Sequence, residues 1–396
     1  MFTENMENPS FVLTISYGDY TIGTGGTDKV ILSQEKMFRA QHISVVHIFP
    51  RLGIWQRKPR LMWGMLIDGT YKACFLMEQI VSELNCLADE GKTLKAVLIH
   101  HLQWINPEDV AYLCARLDVK VYFYVHDYMT ACPHGGLVYN QAYFCGTGRP
   151  DGKKCTGCRF FTEENARKLK ITDALLDQIR TRLTVIAPSE TAAVIWEESH
   201  RAYADAIVVL PHQRLAGAYK GNLQRRDDRE ALRVAFVGYQ SGIKGWPQWI
   251  EAVHQARKQG CNYDYFQFGT VNEHFEFITE IAVDFKKSLT AMTDSLRKYQ
   301  IDIAVLWSVW PETYSYTYYE SLAANCFVLT NAASGNICQQ VRRRGNGLIY
   351  PGTCLSDILP DEQRLRAERE RFREKCLYGP EQLIENDDIL KRIESE

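Results

Sequence analysis

Four groups of residues have types and spacings that could do chemistry. Glu312 and Glu320 bracket the run Glu312-Thr-Tyr-Ser-Tyr-Thr-Tyr-Tyr-Glu320, which follows the apolar stretch Ile303 to Trp307. If one helix carried both carboxylates they would stand ~12 Å apart along its axis, at 1.5 Å rise per residue. That is too far for a single acid/base pair. It suits the two ends of a nucleotide-sugar, one carboxylate accepting from sugar hydroxyls and the other from the ribose. Lys244 lies in the loop Gly238-Tyr-Gln-Ser-Gly-Ile-Lys-Gly245, between a strand pattern and the helix pattern opening at Trp246. Glycines there allow tight turns, and a helix N-terminus beside an ammonium favours an anion such as a diphosphate. A plain strand-to-helix turn with a surface lysine would look the same. Gly25 and Gly26 follow the first strand pattern and permit a close backbone approach to a ligand. His126-Asp127 follows the run Val121 to Val125. A histidine in that place is either a packed, hydrogen-bonded residue or a group that meets substrate.

These residues need strand ends to hold them. Strand patterns fall at 11–16, 43–49, 94–100, 119–125, 183–187 and 206–210, with helical patterns at 27–38, 70–90, 107–116 and 162–181. A second series places strands at 233–237, 263–268, 302–307 and 327–330, and helices at 246–259 and 315–325. Strand and helix in alternation predict parallel βαβ units, because parallel strands need a long crossover that a helix supplies. Two series predict two doubly wound domains, 1–212 and 228–375, with a seam in the Gly-rich, charged stretch 211–230 and a tail, 376–396, packing back toward the first domain. In such sheets ligands bind beyond the carboxyl ends of the strands, where all four groups lie.

Composition sets outer limits. The chain has 396 residues, 46% hydrophobic and 24% charged, which is globular rather than disordered. Lys and Arg total 46 and Asp and Glu 48, so the net charge of −2 argues against a protein that binds nucleic acid. No apolar run reaches the length of a membrane span. The first ten residues carry Glu4 and Glu7 and no basic segment, so a cytoplasmic chain is expected. Eight of the twelve cysteines are scattered and read as small core residues. The other four, Cys132, Cys145, Cys155 and Cys158, share a Gly-rich loop, 128–160. They are either four thiolate ligands of a structural zinc or free thiols. Between Pro50 and Ile67, Arg51, Arg57, Lys58 and Arg60 alternate with Leu52, Ile54, Trp55, Leu61, Met62 and Trp63, with no acid. Such a stretch, 51–63, suits either an anionic membrane surface or a mobile acceptor loop folded on its own domain.

Taken together, the motifs resemble the retaining, nucleotide-sugar-dependent glycosyltransferases of GT-B fold that carry a Glu-x7-Glu motif (glycosyltransferase family 4-like), across about residues 10 to 350. The resemblance rests on VGYQSGIKGWPQWIEA, IDIAVLWSVWPETYSYTYYESLAANCFVLT, ASGNICQQV and GNGLIY, and more loosely on TGGTDKVIL, VHDYMTACP, VIAPSETAAVIW and VVLPH. It implies a GT-B fold, two Rossmann-like domains facing across a cleft. It implies that Glu312 holds the donor sugar, with Thr313, Tyr314, Ser315 and Tyr316 meeting sugar and diphosphate. Glu320 would bind the ribose, Lys244 the diphosphate, Gly25 and Gly26 the donor phosphate and acceptor, and His126 the transferred sugar. Catalysis would need no metal on the phosphates. The donor would be a UDP-sugar, else a GDP- or dTDP-sugar. The acceptor would be a saccharide or a lipid-linked one, in polysaccharide or glycan biosynthesis, with peripheral contact at the inner face of the cell membrane. The four tyrosines Tyr314, Tyr316, Tyr318 and Tyr319 suggest an aromatic-rich donor site. One position departs: Tyr239 stands where the family usually has a diphosphate-binding arginine, which keeps a non-catalytic subunit that binds a partner glycosyltransferase in view.

Overall fold

The computed structural model describes residues 6–55, 58–150, 153–218, 230–374 and 381–395. In chain order its elements are β1 (Ser10–Ile15), α1 (Gly26–Ala40), β2 (Ile43–Trp55), β3 (Lys58–Ile67), β4 (Thr70–Phe75), α2 (Met77–Asp89), β5 (Thr93–Ile99), α3 (Pro107–Cys114), β6 (Lys120–Tyr124), β7 (Val138–Tyr139), β8 (Tyr143–Phe144), α4 (Glu163–Ile179), β9 (Leu183–Ala187), α5 (Glu190–Ser199), β10 (Ile207–Val209) and β11 (Gln213–Ala218). There follow β12 (Leu232–Val237), α6 (Trp246–Lys258), β13 (Tyr263–Phe268), β14 (Ile278–Ile281), α7 (Ala291–Lys298), β15 (Ile303–Leu306), α8 (Tyr316–Ala323), β16 (Phe327–Asn331), α9 (Asn336–Arg344), β17 (Gly347–Tyr350), α10 (Glu362–Glu374), β18 (Glu381–Glu385) and α11 (Asp388–Ser395).

The chain divides into two compact units. The first comprises 1–135, 147–212 and 386–396, and the second 136–146 and 213–385. The sheet of the first unit runs β10-β9-β6-β5-β1-β2-β3-β4, parallel from β10 to β2 and antiparallel from β2 to β4. Its central strands are buried on both faces, as Val12, Leu13, Val97, Leu98 and Val121 show, which is why they read as unbroken apolar runs. The sheet of the second unit, β14-β13-β12-β15-β16-β17, is parallel throughout. One face packs Trp246, Trp249 and Val253 of α6 against Phe236 and Val305. The other packs Leu296 of α7 and Tyr318 and Leu322 of α8 against Ala235 and Leu306.

Several expectations are corrected. Residues 70–90 are not one helix. Asp68 and Gly69 both take positive φ, +49° and +76°, the backbone of a two-residue hairpin turn, and this folds Thr70–Phe75 back onto β3 as β4 before α2 begins. The stretch 51–63 is not a loop. It extends β2 and β3 as an antiparallel hairpin whose register reaches Trp55 opposite Lys58. Arg51 and Leu52 are exposed there, while Arg57 and the side chains of Ile54, Trp55, Lys58 and Arg60 lie outside the described residues. Within the expected linker 211–230, Gln213–Ala218 is a strand, paired with β18 from the supposed polar tail; 219–229 lie outside the described residues. The loop 128–160 carries the small hairpin β7-β8. At the C-terminus α11 places Ile389, Leu390 and Ile393 in a core cluster with Val12, Phe38 and Val45, so residues 386–395 are part of the first unit. Among the described residues no helix is long and apolar enough to cross a membrane.

Candidate functional site

In the second unit the strand ends of β12 and β15, which are neighbours in the sheet, bring Lys244 and Glu312 together. Lys244 closes a helical turn, Gly242–Lys244, capped by Gly245 at φ +86°. A Cβ on Gly245 would lie 2.2 Å from the Trp307 carbonyl oxygen, so only glycine lets this turn press against the end of β15. The Val309 N–H bonds the Ile243 carbonyl at 3.0 Å and joins the two loops. Glu312 is almost fully buried. Its Oε1 takes the Lys244 ammonium at 2.6 Å, the Trp310 indole N–H at 2.8 Å and the Ser308 hydroxyl. Among the described residues none of these bonds reaches Oε2, which leaves that oxygen for a ligand hydroxyl. Asn336 donates its N–H to the Glu312 carbonyl at 2.9 Å. Gly335, at φ +59°, lies so close to the backbone at Pro311 and Glu312 that an added Cβ would stand 2.5 Å from the Glu312 nitrogen.

Glu312 precedes α8 rather than standing on it, since α8 begins at Tyr316. The ~12 Å helical separation from Glu320 therefore does not apply. Thr313 and Tyr314 are buried in the connecting turn, and Ser315 takes φ +70° to start the helix. The first-turn amides of α8 thus open at the carboxyl end of β15, where backbone N–H groups favour an anion. Glu320 is buried on α8, near enough to Tyr316 that it helps burial and Glu385 push the Tyr316 hydroxyl well above its ordinary pKa. The tyrosines do not line a site as expected. Tyr314, Tyr318 and Tyr319 sit in the core. Tyr314 and Tyr319 stack at 4.4 Å. The Tyr314 hydroxyl meets the Gln213 backbone, accepting from its N–H at 3.0 Å, and the Tyr318 hydroxyl donates to Asn346 at 3.0 Å. Burying these rings while satisfying the Tyr314 and Tyr318 hydroxyls is a packing solution. Tyr239 is 46% exposed.

In the first unit His126 follows β6 and belongs to a cluster. His100, after β5, lies with Nδ1 3.1 Å from His126 Nε2, and the His212 ring stands 5.3 Å from that of His126. Tyr124 stacks on both His100 and His126, and its hydroxyl accepts from Gln34 at 2.8 Å. Burial first, and then the neighbouring histidines, hold His100 and His126 well below the ordinary imidazole pKa; burial brings His212 down to about 3. All three are neutral at pH 7. The buried Nε2 of His100 has no partner among the described residues. We place the His100 proton on Nδ1, since an unpaired lone pair costs less to bury than an unpaired N–H. His126 then accepts at Nε2 and carries its own proton on Nδ1. Beside it, His101 Nε2 meets the Asp127 carboxylate at 3.0 Å. His100, His101 and His212 were not singled out from the sequence, although His-His directly after the run Thr93 to Ile99 is the same strand-end signal that marked His126.

Gly25 caps α1, and Gly26 is its first residue. The Asp28 carboxylate accepts from the Gly25 N–H at 2.9 Å and from the Tyr17 hydroxyl at 3.2 Å. A Cβ on Gly25 would stand 2.9 Å from that hydroxyl, so a side chain there would have to displace the Tyr17 ring end. The cysteine expectation fares differently. Cys145 falls in the second unit, and Cys132, Cys155 and Cys158 in the first. The Cys145 thiol donates to the Leu137 carbonyl at 3.1 Å inside its hairpin. Among the described residues no three His, Cys, Asp or Glu side chains are arranged to hold a metal ion.

No known sequence family matches the chain, and no curated protein matches it. Solved structures do. HepE (Alr3699) of Anabaena, in complex with UDP and glucose, superposes with a TM-score of 0.51 at 12% identity, over 90% of this chain and 92% of its own. A point mutant of TarM from S. aureus, in complex with fondaparinux, alpha-GlcNAc-glycerol and UDP, gives 0.53 at 8% identity, over 92% and 96%. Both are GT-B glycosyltransferases. The fold is GT-B. In open α/β sheets ligands bind beyond the carboxyl ends of the parallel strands, which is where Lys244, Glu312 and His126 stand in their respective units.

Proposed function

We propose that the chain is a retaining glycosyltransferase that moves a sugar from a nucleotide-diphosphate-sugar, UDP-linked first among the candidates, to a saccharide or lipid-linked acceptor in glycan biosynthesis at the cytoplasmic side of a membrane. The observation that carries this reading is Glu312. A buried carboxylate with three donors on one oxygen and the other left open, 2.6 Å from a lysine ammonium, suits a donor whose sugar hydroxyl binds the carboxylate and whose diphosphate binds the ammonium. In the transfer the bond from sugar C1 to the phosphate oxygen breaks and the bond from C1 to the acceptor oxygen forms on the same face. The acceptor proton passes to the departing phosphate oxygen. Lys244 and the first-turn amides of α8 would stabilise the charge gathering on that diphosphate, while Glu312 and a neutral His126 orient the sugar. UDP bound in HepE and TarM supports the choice of base.

A second reading, a non-catalytic subunit, is favoured by Tyr239, a neutral exposed side chain where a second cation would strengthen the phosphate grip. A thermal-shift screen against UDP, GDP, dTDP and their sugars, with Glu312→Ala as control, separates the two. At 100 times Kd a ligand adds ~2.7 kcal/mol of stability. Stabilisation by one nucleotide series, reduced for its sugar forms by the substitution, supports the transferase. No stabilisation by any of them supports the subunit.

A further inference from the structure

The first unit carries a feature that the strand-end histidines do not use. Leu102 to Ile105 form a tight turn after β5, closed by the Ile105 N–H on the Leu102 carbonyl at 3.2 Å. Trp104 fills its third position at φ +59°, a place that glycine or asparagine normally takes because side chains with a Cβ are strained there. The largest side chain of all is held in that strained place, and it is 72% exposed. Packing does not explain this, since an exposed indole contributes little to a core. The turn is also rigidly backed. The Tyr17 ring meets the Trp104 ring edge-on at 6.0 Å and the His101 ring edge-on at 5.1 Å. Tyr17 is tied to buried Asp28, and His101 to Asp127. The Gln103 N–H donates to His101 Nδ1 at 3.0 Å. The anchors of the turn therefore lead back to the first turn of α1, through Asp28, and to the end of β6, through Asp127.

Trp104 borders a cavity of about 420 Å³ within this unit. Leu169 and Met129 line the cavity together with the polar residues Gln103, Asn106, Asn165 and Lys168; the Asn165 amide also donates to the Phe160 carbonyl at 2.9 Å, and the Lys168 ammonium pairs with Glu164 at 2.8 Å. An exposed flat ring with amides around it matches a pyranose, which lays its C–H face on an indole and offers hydroxyls at its edge. We infer that Trp104 and this cavity form a saccharide-binding subsite that receives a sugar ring of the acceptor. The inference rests on the transferase reading and adds to it the class of group that the acceptor presents.

The test uses the full chain labelled with 5-fluorotryptophan. Its eight tryptophans give one fluorine signal each, and the Trp104 signal is the one lost in Trp104→Phe. Glucose, galactose, mannose, N-acetylglucosamine, rhamnose and their disaccharides are titrated into the millimolar range, with uridine as a flat-ring control. The expected result is a saturable movement of the Trp104 signal with at least one saccharide. With that saccharide as acceptor, Trp104→Ala should raise the acceptor KM about tenfold, the equivalent of ~1.4 kcal/mol, and leave the donor KM unchanged. Movement with uridine and with no saccharide would make the indole a base platform and overturn the inference, as would no movement with any of them. The UDP thermal shift of the same sample keeps the two levels apart. If it persists while Trp104 stays silent, only the subsite is lost; if both are absent, the transferase reading falls as well.

Discussion

At the residue scale, charge placement in each unit follows from what is buried. Glu312 stays in a protein interior because three donors converge on one of its oxygens, and removing its charge removes what Lys244 is held against. Glu312→Gln is expected to lower turnover by ~100-fold or more, in the range seen when a group preorganised for the transition state is removed. UDP itself should still stabilise the variant, and rate and thermal shift measured on one preparation check this. The buried histidines make a different prediction. Burial takes His47 and His200 down from 6.5 to about 4, and His100 also lies low. A histidine held neutral in the fold binds fewer protons than in the unfolded chain, so its contribution to stability is complete above pH 6.5 and is lost as pH falls toward 4. Each should cost at most ~1.4 kcal/mol per pH unit in that window. Urea midpoints at pH 7.5 and pH 5 test the sign, and a midpoint that rises on acidification would refute it.

At the scale of elements, the site of the second unit is two loops locked together at neighbouring strand ends. The lock is Gly245. Its φ of +86° and its contact with the Trp307 carbonyl leave no room for a side chain, yet this turn sets where the Lys244 ammonium stands. Gly245→Ala should destabilise the protein by ~1–3 kcal/mol and weaken UDP binding further than that loss alone explains. Ligand titration well below the melting temperature separates the two effects. The Asp68-Gly69 turn shows how a small element escapes a reading by composition. Thr70 to Glu90 carries enough helix formers to look continuous, but two positive φ values in succession reverse the chain and make the first six residues a strand.

At the scale of the whole molecule, the chain is not partitioned in sequence order. It contributes 136–146 to the second unit, enters that unit again at Gln213 and returns to the first at Asn386. On return, the Asn386 amide donates to the Pro211 carbonyl at 2.7 Å, and α11 buries Ile389, Leu390 and Ile393 against the central strands of the first sheet. Burial of such side chains contributes ~1.5–3 kcal/mol each. Deleting 386–396 should therefore lower the melting temperature markedly, with limited proteolysis cutting first within the first unit. Equal melting temperatures for the full and shortened chains would contradict that account.

Alternation of apolar strands with helical stretches was enough to establish the α/β class, because a parallel crossover has no cheaper solution than a helix. The glycine loops and the glutamate run were legible for the same reason: they follow strands, and strand ends are where a doubly wound sheet exposes backbone to ligands. What a linear reading could not supply were relations between residues far apart in the chain. The Lys244–Glu312 pair spans 68 positions. The histidine cluster draws on three separate strand ends, and the tyrosines that looked like a binding surface face the core instead. Spacing constrains neighbours within an element, whereas burial and pairing are settled by elements packing on one another. The sequence thus determined which residues stand at strand ends, and only the tertiary structure decided which of them meet.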